Sequence, residues 1–361
     1  TIITILFTAL SYCRMTRALP LAGAAYSYVQ RCFGGKMGFL VGWAQILDYL
    51  FLPILNYLVL GIFLHEAFPA IPAAVFVLGS IVSVSLLNIL GVRLLTSVNF
   101  TLIAAQMVFI VLFIALSFSQ ADLSPEALLR PIMVNAGHLS GLFAGAAVLC
   151  LAFLGFDAIA TMAEEADDAK RTLPRAILIT VVLAGGIFMA VSYAAHLIYP
   201  DWQSLIPIQD TASLAVSEKA GGKWMYNFFL AAYLTGVYAS AMTAQTGVSR
   251  IFYAMGREGV LPRKVFYHLH TRFHTPYRAI IFVAIVSLIA LFISLELVVS
   301  MISFGALVAF TFVNLSVIKH FLINQKRRGA KALFNYGLLP TMGVIMSVWR
   351  WLNLSEDALI V

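Results

Sequence analysis

The sequence predicts an all-α polytopic membrane protein, and two properties lead to that fold class. Of the 361 residues, 61% are hydrophobic and 11% are charged, whereas soluble domains carry about 25% charged residues. The chain also divides into apolar stretches of about 20 residues, the length of helix that crosses the hydrocarbon core of a bilayer. We therefore expect most of the surface to face lipid, which is incompatible with a water-soluble protein.

The apolar stretches are separated by short polar or Pro/Gly-rich joints, and they predict about ten spans. The opening run, 1–13, is short for a span, and we expect it to be a span that begins before Thr1. The other nine predicted spans are 37–64, 72–92, 96–118, 140–163, 175–199, 224–253, 278–296, 298–320 and 336–352. An even number of spans places both chain ends on the same side.

The basic residues are divided unequally between the two sides of the membrane. Nineteen of the 23 Lys and Arg residues fall in one set of loops. The other set holds Arg130, Lys219, Lys223 and Arg350. Because cytoplasmic loops carry an excess of Lys and Arg, the first set is predicted to be cytoplasmic and both ends external. We interpret the basic tract 326–328 as a solvated loop, since nothing else resembles a nucleic-acid-binding module.

Neither the cysteines nor the histidines predict a metal site. The cysteines, Cys13, Cys32 and Cys150, are far apart and show no CxxC spacing, which also argues against a disulfide framework. The loop histidines, His268, His270 and His274, have no nearby Cys or acidic partner in the sequence. A membrane-embedded enzyme finds little support in these patterns.

The first polar position at membrane depth lies in the 37–64 stretch, where Trp43, Asp48 and Tyr49 occur in an otherwise apolar helix. A carboxylate within the bilayer is costly and usually functional. The alternative is that Asp48 pairs with a backbone or side-chain donor and fixes helix packing.

The second position is a predicted helix break in the 140–163 stretch, at Phe153, Gly155, Phe156 and Asp157. Gly155 allows the backbone to open in mid-span. An opened turn exposes carbonyl groups and a helix N-terminus, which a polar cavity tolerates and lipid does not.

Two further acids, Glu164 and Glu165, follow the break. With Asp157 and Thr161, Glu164 recurs at helical spacing and shares one helix face, and Glu165 lies one residue round from it. We interpret this pair as candidates for proton coupling. The alternative is that they are helix-end charges beside Lys170 and Arg171.

The third position is the 224–253 stretch, which is too polar to face lipid on all sides. Its polar residues are Tyr226, Tyr233, Thr235, Tyr238, Thr243, Gln245, Thr246 and Ser249. Such a face lines water, a substrate or another polar helix. Tyr233 and Tyr238 are candidate substrate contacts, although each alone is also typical of helix packing or of the membrane interface.

The membrane-depth acids favour a positively charged cargo. Asp48 and Asp157 have no Lys or Arg within their own predicted spans, so each favours a proton or a cationic ligand. Nearby aromatic side chains could offer ring faces to an ammonium group, namely Trp43, Tyr49, Phe153 and Phe156. The residues therefore predict a small organic cation as substrate.

Several segments of the sequence form an ordered set, namely 19–28, 38–51, 153–157 with Glu164 and Glu165, 174–176, 247–262 and 304–316. Together they resemble the amino-acid/polyamine/organocation (APC) transporter superfamily, and most closely the proton-coupled putrescine importers of bacteria. The resemblance covers almost the whole chain.

The resemblance implies a LeuT-like fold, an inverted five-plus-five helix repeat whose first and sixth helices are broken around the substrate. In this chain, 1–118 would be the remainder of the first repeat, 140–320 the second repeat and 336–352 an additional helix of a single transporter domain. Tyr49, Asp157 and the Glu164–Glu165 pair match the family's recognition positions. Related antiporters have a Trp where this chain has Leu151.

The resemblance also implies a function. We expect a transporter that imports putrescine by proton symport with alternating access, without a cofactor, in the inner membrane of a bacterium. The chain matches the second to eleventh helices of such a transporter, so residues 1–361 alone are expected to be inactive. The alternatives are an amino-acid permease or exchanger of the same superfamily, a non-transporting membrane sensor and a membrane enzyme. Oligomeric state is not predicted.

Overall fold

In the computed structural model, every regular element within the described part of the chain is a helix. The described residues are 1–21, 23–91, 95–133, 149, 151–161, 163, 166–259 and 261–351. The predicted all-α class is therefore confirmed.

The α-helices of these residues are numbered here in chain order. They are α1 (Ile2–Ala18), α2 (Ala24–Phe33), α3 (Gly35–Ala67), α4 (Ala73–Leu90), α5 (Leu95–Gln120), α6 (Pro125–Met133), α7 (Ala158–Thr161), α8 (Ala169–Ile198), α9 (Ala212–Glu258), α10 (Arg263–Phe266), α11 (Tyr277–Ser287), α12 (Leu295–Val317), α13 (Ala330–Leu333) and α14 (Leu339–Trp351). Short 3₁₀ segments occupy Leu151–Phe153, Trp202–Thr211 and Leu288–Leu291, and π-helical turns occupy Ile318–Asn324 and Phe334–Leu338.

Six helical stretches of the described residues are long and apolar enough to cross a membrane. They are Gly35–Ala67, Ala73–Leu90, Phe100–Gln120, Ala169–Ile198, Leu295–Asn324 and Ala330–Trp351. Each coincides with one of the predicted spans, so the chain is a multi-pass membrane protein. Their length meets the roughly 20 residues that a spanning helix needs.

The other predicted spans differ from these six. The predicted span 224–253 lies inside the 47-residue helix α9, whose many polar residues lower its hydropathy. The predicted span 278–296 corresponds to a shorter apolar stretch, Tyr277–Leu291. The opening run 1–13 belongs to α1, which continues to Ala18. Residues 140–148, 150 and 162 of the predicted span 140–163 lie outside the described residues, so the count of ten spans stays a prediction.

The chain folds into two compact units. Unit 1 comprises Thr1–Asp48, Gly137–Phe188 and Val299–Val361, and unit 2 comprises Tyr49–Ala136 and Met189–Val298. The inverted repeat over 1–118 and 140–320 stays a prediction.

Unit 1 has an aromatic core between α1, α12 and the segment before α7. The Tyr12 ring meets Phe156 edge-on at 5.6 Å and Phe310 at 6.1 Å between ring centroids. Beside this core, the Asn314 amide on α12 accepts from Ser11 Oγ at 2.6 Å and donates to Thr8 Oγ1 at 3.1 Å. Because buried amides need partners, this network fixes α1 against α12.

Unit 2 is built around the long helix α9, which α4 and α5 flank. Phe113 of α5 and Met225 of α9 belong to one buried cluster. Near the start of α9 the backbone turns at Gly222, whose φ of 72° and ψ of −166° interrupt the helical geometry. A side chain would strain that conformation, so glycine allows the change of direction.

Candidate functional site

The backbone opens where the sequence predicts a break. Leu151–Phe153 form a single 3₁₀ turn, and α7 begins again at Ala158. Between them Gly155 has a φ of +105°, a conformation that residues with a Cβ rarely adopt. The predicted opening at Gly155 is confirmed. The opened backbone separates the turn Leu151–Phe153 from α7, and Asp157 directly precedes α7.

Asp157 lies buried at this break, with 4% of its surface exposed. Its Oδ1 accepts a hydrogen bond from the Gly155 backbone N–H at 3.3 Å. The backbone N–H groups of Asp157 and Ala158 also face the carboxylate. A short acidic side chain commonly stabilises a turn in this way. An ionised carboxylate has about four lone-pair sites, so the turn leaves capacity for a ligand.

Asp48 provides a second carboxylate near the first. It lies partly buried on α3, within electrostatic range of Asp157. Among the described residues, no Lys or Arg forms an ion pair with either side chain, and Asp48 accepts no hydrogen bond. Two negative charges within electrostatic range of each other repel unless a cation or a proton neutralises one of them.

A close contact between α12 and α3 determines where Asp48 lies. A Cβ atom on Gly305 would come within 2.5 Å of the Ala44 carbonyl oxygen and 3.1 Å of the Asp48 backbone nitrogen. Only glycine therefore allows α12 to approach α3 so closely at this point. Sequence reasoning missed this residue, although small residues at the interfaces of membrane helices are the signal that indicates it.

Phe153 and Phe156 pack into the core of unit 1 on either side of the break. The Phe153 ring meets Phe188 edge-on at 5.3 Å. The Phe156 ring lies 5.4 Å from Phe310 and has 2% of its surface exposed. These contacts anchor the interrupted segment and therefore position Asp157.

The remaining candidates on α3 and after the break have different surroundings. Trp43 is 49% exposed and stacks on Phe39 at 6.4 Å, so its ring lies on an exposed face of α3. Tyr49 follows Asp48 on the same helix and is partly buried. Glu164 and Glu165 lie outside the described residues.

Tyr233 and Tyr238 take part in helix packing within unit 2. The Tyr233 ring lies 4.7 Å from Phe63 and stacks on Phe229 at 5.2 Å. The Tyr238 hydroxyl donates to Ser83 Oγ at 2.9 Å.

Further along α9, Gln245 accepts from Asn88 Nδ2 at 2.8 Å and donates to Ser85 Oγ at 2.8 Å. In these contacts the polar face of α9 meets polar side chains of α4, a helix that is otherwise apolar enough to cross a membrane.

The described residues contain no group of three His, Cys, Asp or Glu side chains that could hold a metal ion. His270 instead accepts backbone N–H bonds from Arg272 and Phe273 at 3.2 and 3.3 Å, which ties its own loop together. Cys13 and Cys32 are buried thiols without a disulfide.

The long apolar helices, together with a helix break that presents acidic groups, define a polytopic membrane protein of the transporter type. The chain belongs to the amino acid permease family, whose model matches residues 1–352. That family is part of the APC superfamily, as the sequence motifs predicted.

Relatives of known function lie within the same superfamily. The chain is 36% identical to the low-affinity putrescine importer PlaP of Escherichia coli, over 99% of this chain and 80% of that protein. It is 26% identical to the branched-chain amino acid permease BcaP of Bacillus subtilis, over 97% of this chain and 78% of that protein. It is 29% identical to human cationic amino acid transporter 4, over 87% of this chain and 52% of that protein.

These similarities place the protein among transporters and not among enzymes. Permeases of the superfamily are secondary transporters that generally work without a cofactor.

Proposed function

We propose that the protein imports a small organic cation, putrescine, by proton symport with alternating access. The observation that carries the proposal is that the Asp157 carboxylate lies at the opened backbone at Gly155, within electrostatic range of the Asp48 carboxylate. Neither acid has a basic partner among the described residues, so a cationic ligand would relieve their repulsion.

A diamine fits this arrangement because it brings positive charge without a carboxylate of its own. An α-amino acid adds a negative group, which would need hydrogen-bond donors beside two existing acids. Of the three relatives compared, the putrescine importer shares the highest identity with this chain. Both arguments favour putrescine as the cargo.

The proposal assigns the driving force to a proton gradient and requires no cofactor. A proton that binds to one of the acids would be released on the other side of the membrane as the protein changes conformation. Glu164 and Glu165 are proposed to serve that step with the two aspartates, and Tyr49 is proposed to contact the substrate beside Asp48. Because PlaP comes from Escherichia coli, we assign the protein to the cytoplasmic membrane of a bacterium.

Uptake of radiolabelled putrescine by cells that express the intact protein tests the proposal. Asp157→Asn and Asp48→Asn keep the shape of each side chain but remove its charge. Losing one charge-assisted hydrogen bond costs about 1.5–3 kcal/mol, so uptake at low substrate concentration should fall at least about tenfold.

Asp210→Asn is the matched control, because Asp210 is an exposed acid outside unit 1 and its replacement should leave uptake unchanged. Wild-type uptake in both the Asp48 and the Asp157 variants would overturn the proposed site.

The second candidate function is an amino acid permease, which the similarity to BcaP over 97% of the chain favours. Competition separates the two functions. Unlabelled putrescine and cadaverine should block uptake of labelled putrescine, whereas arginine and alanine should not. Strong competition by alanine or arginine would favour the amino acid permease.

A further inference from the structure

A cluster of basic and aromatic side chains lies in unit 1, where α1 ends and where the chain turns between α12 and α14. The rings of Phe321 and Tyr336 stack with centroids 4.2 Å apart. The guanidinium carbon of Arg14 lies 5.7 Å from the Tyr336 centroid, and that of Arg327 lies 5.5 Å from it. Both guanidinium groups therefore lie next to the same ring, that of Tyr336.

The hydrogen bonds of these two arginines leave their charges unneutralised. Arg14 Nη2 donates to Asn335 Oδ1 at 3.4 Å, and Arg327 Nη1 donates to the Tyr336 hydroxyl at 3.2 Å. Both acceptors are neutral. Arg14 Nη1 is buried and has no acceptor among the described residues, which is costly for a charged donor.

The surrounding sequence supplies positive charge and no negative charge. Residues 1–47 and 299–351 together contain ten Lys and Arg residues and no Asp or Glu. In the same unit, Asp167 and Asp168 precede α8, and within the described residues neither forms an ion pair with Arg14 or Arg327. The electrostatic neighbours of Arg14 are Tyr336, Cys13 and Arg17, none of which is a carboxylate.

We infer that Arg14 and Arg327 bind the phosphate of an anionic phospholipid headgroup. A phosphate accepts bidentate bonds from guanidinium groups. A phosphate held by both arginines would neutralise two charges that no carboxylate among the described residues pairs with.

The position of the cluster favours a lipid as the source of that phosphate. Arg14 lies one turn before the end of α1 at Ala18, and Arg327 follows a spanning stretch that ends at Asn324. The ends of membrane-spanning helices lie at the level of the lipid headgroups. On the following helical stretch, Ala330–Trp351, three apolar side chains are exposed and offer a surface to the acyl chains: Leu333, Phe334 and Leu338, at 58%, 53% and 55%.

Lipid-dependent stability of the purified intact protein tests the inference. The protein is transferred from detergent into mixed micelles that contain either phosphatidylglycerol or phosphatidylcholine, and its thermal unfolding is measured. We expect phosphatidylglycerol to raise the Tm more than phosphatidylcholine does. Arg14→Gln and Arg327→Gln should remove that difference.

Arg272→Gln is the control, because Arg272 also lies over an aromatic ring, 5.5 Å from Phe273, but belongs to unit 2. It should keep the full lipid effect. Arg327 is exposed, so its replacement leaves the packing intact and the test stands even if the Arg14 variant fails to fold. Native mass spectrometry should show at least about tenfold less phosphatidylglycerol retained by the Arg327 variant.

Three results would overturn the inference. The two lipids could stabilise the protein equally, or the Arg327 variant could keep both the Tm difference and the bound lipid. Inorganic phosphate alone could also raise the Tm as much as phosphatidylglycerol does, which would show that the site takes a free anion and not a lipid.

Discussion

At the scale of single residues, Asp157 combines two roles that a substitution can separate. Its carboxylate accepts a backbone hydrogen bond from Gly155, and its negative charge is proposed to hold the substrate. Asparagine keeps a side-chain oxygen as acceptor but removes the charge. Asp157→Asn should therefore keep the structural role of the side chain and lose its proposed role in substrate binding.

We predict that Asp157→Asn unfolds at nearly the wild-type temperature, whereas Asp157→Ala loses about 1 kcal/mol because the turn loses its hydrogen bond. Thermal unfolding in detergent measures both variants. If the Asn variant were destabilised as much as the Ala variant, the charge itself would be needed for folding, and loss of uptake could not be assigned to substrate binding.

Gly305 offers a second prediction at this scale. Gly305→Ala should lower the free energy of unfolding by about 1–3 kcal/mol, the usual cost of overpacking, since the new Cβ would meet the Ala44 carbonyl oxygen at 2.5 Å. The displaced α3 backbone should also reduce putrescine uptake.

The control for Gly305 is Gly79→Ala on α4, where a Cβ atom meets nothing within 4 Å. That variant should be as stable as the wild type or slightly more stable, because alanine favours a helix. Equal stability of the Gly305 and Gly79 variants would contradict the close contact at Asp48.

These two glycines also show how much of the site could be predicted from sequence. The break at Gly155 was predicted because a glycine in the middle of an apolar span allows the backbone to open. Gly305 was not, because its importance arises from a contact with α3, more than 250 positions away in the sequence. Such contacts depend on tertiary packing, which local patterns do not reveal.

At the scale of helices, the polar face of α9 is held by hydrogen bonds to α4. Asn88 Nδ2 donates both to Gln245 Oε1 at 2.8 Å and to the Met242 carbonyl at 3.1 Å. Side-chain amides of this kind link membrane helices because lipid offers no alternative partner.

A double-mutant cycle measures this link. We predict that Asn88→Ala and Gln245→Ala are coupled by about 0.6–1.7 kcal/mol in the free energy of unfolding, the range found for bonds between membrane helices. Asn56 bonds Ser240 and not Gln245, so the Asn56→Ala and Gln245→Ala pair serves as the uncoupled control. Equal coupling in the two cycles would mean that the amide pair has no specific role.

Hydropathy predicted the position of a helix well where the helix is apolar on all sides. It predicted the bounds poorly where one face of the helix is polar. Six predicted spans match long apolar helical stretches, since burial in lipid demands a continuous apolar run. The full 47-residue length of α9 was not predicted. The part of α9 before residue 224 contains polar residues and the turn at Gly222, and such a segment resembles a loop in the sequence. The π-helical turns after α12 and α13 have no simple sequence signal either.

At the scale of the whole molecule, the basic and the acidic residues are predicted to lie at different depths in the membrane, and this separation matters for transport. Most basic residues fall in the loops predicted to be cytoplasmic, whereas Asp48 and Asp157 lie at predicted membrane depth. A cation attracted to these acids would need an energy source to accumulate against its gradient. The sequence motifs predicted the superfamily, which the family model confirms, and the resemblance predicted a proton as the coupled ion.

We predict that an inward pH gradient, acidic outside, drives accumulation of putrescine in proteoliposomes of the intact protein. Collapsing the gradient with a protonophore should reduce accumulation to the equilibrium level, and replacing sodium with potassium should have no effect. Accumulation that needs sodium and persists without a pH gradient would contradict proton symport.

The central claim is that the two carboxylates beside the break bind the cationic substrate, and equilibrium binding tests it without the complications of transport. Purified wild-type protein should bind radiolabelled putrescine, and Asp157→Asn and Asp48→Asn should each weaken binding at least about tenfold, as expected for one lost charge-assisted contact. Wild-type affinity in both variants, with folding intact, would contradict the claim.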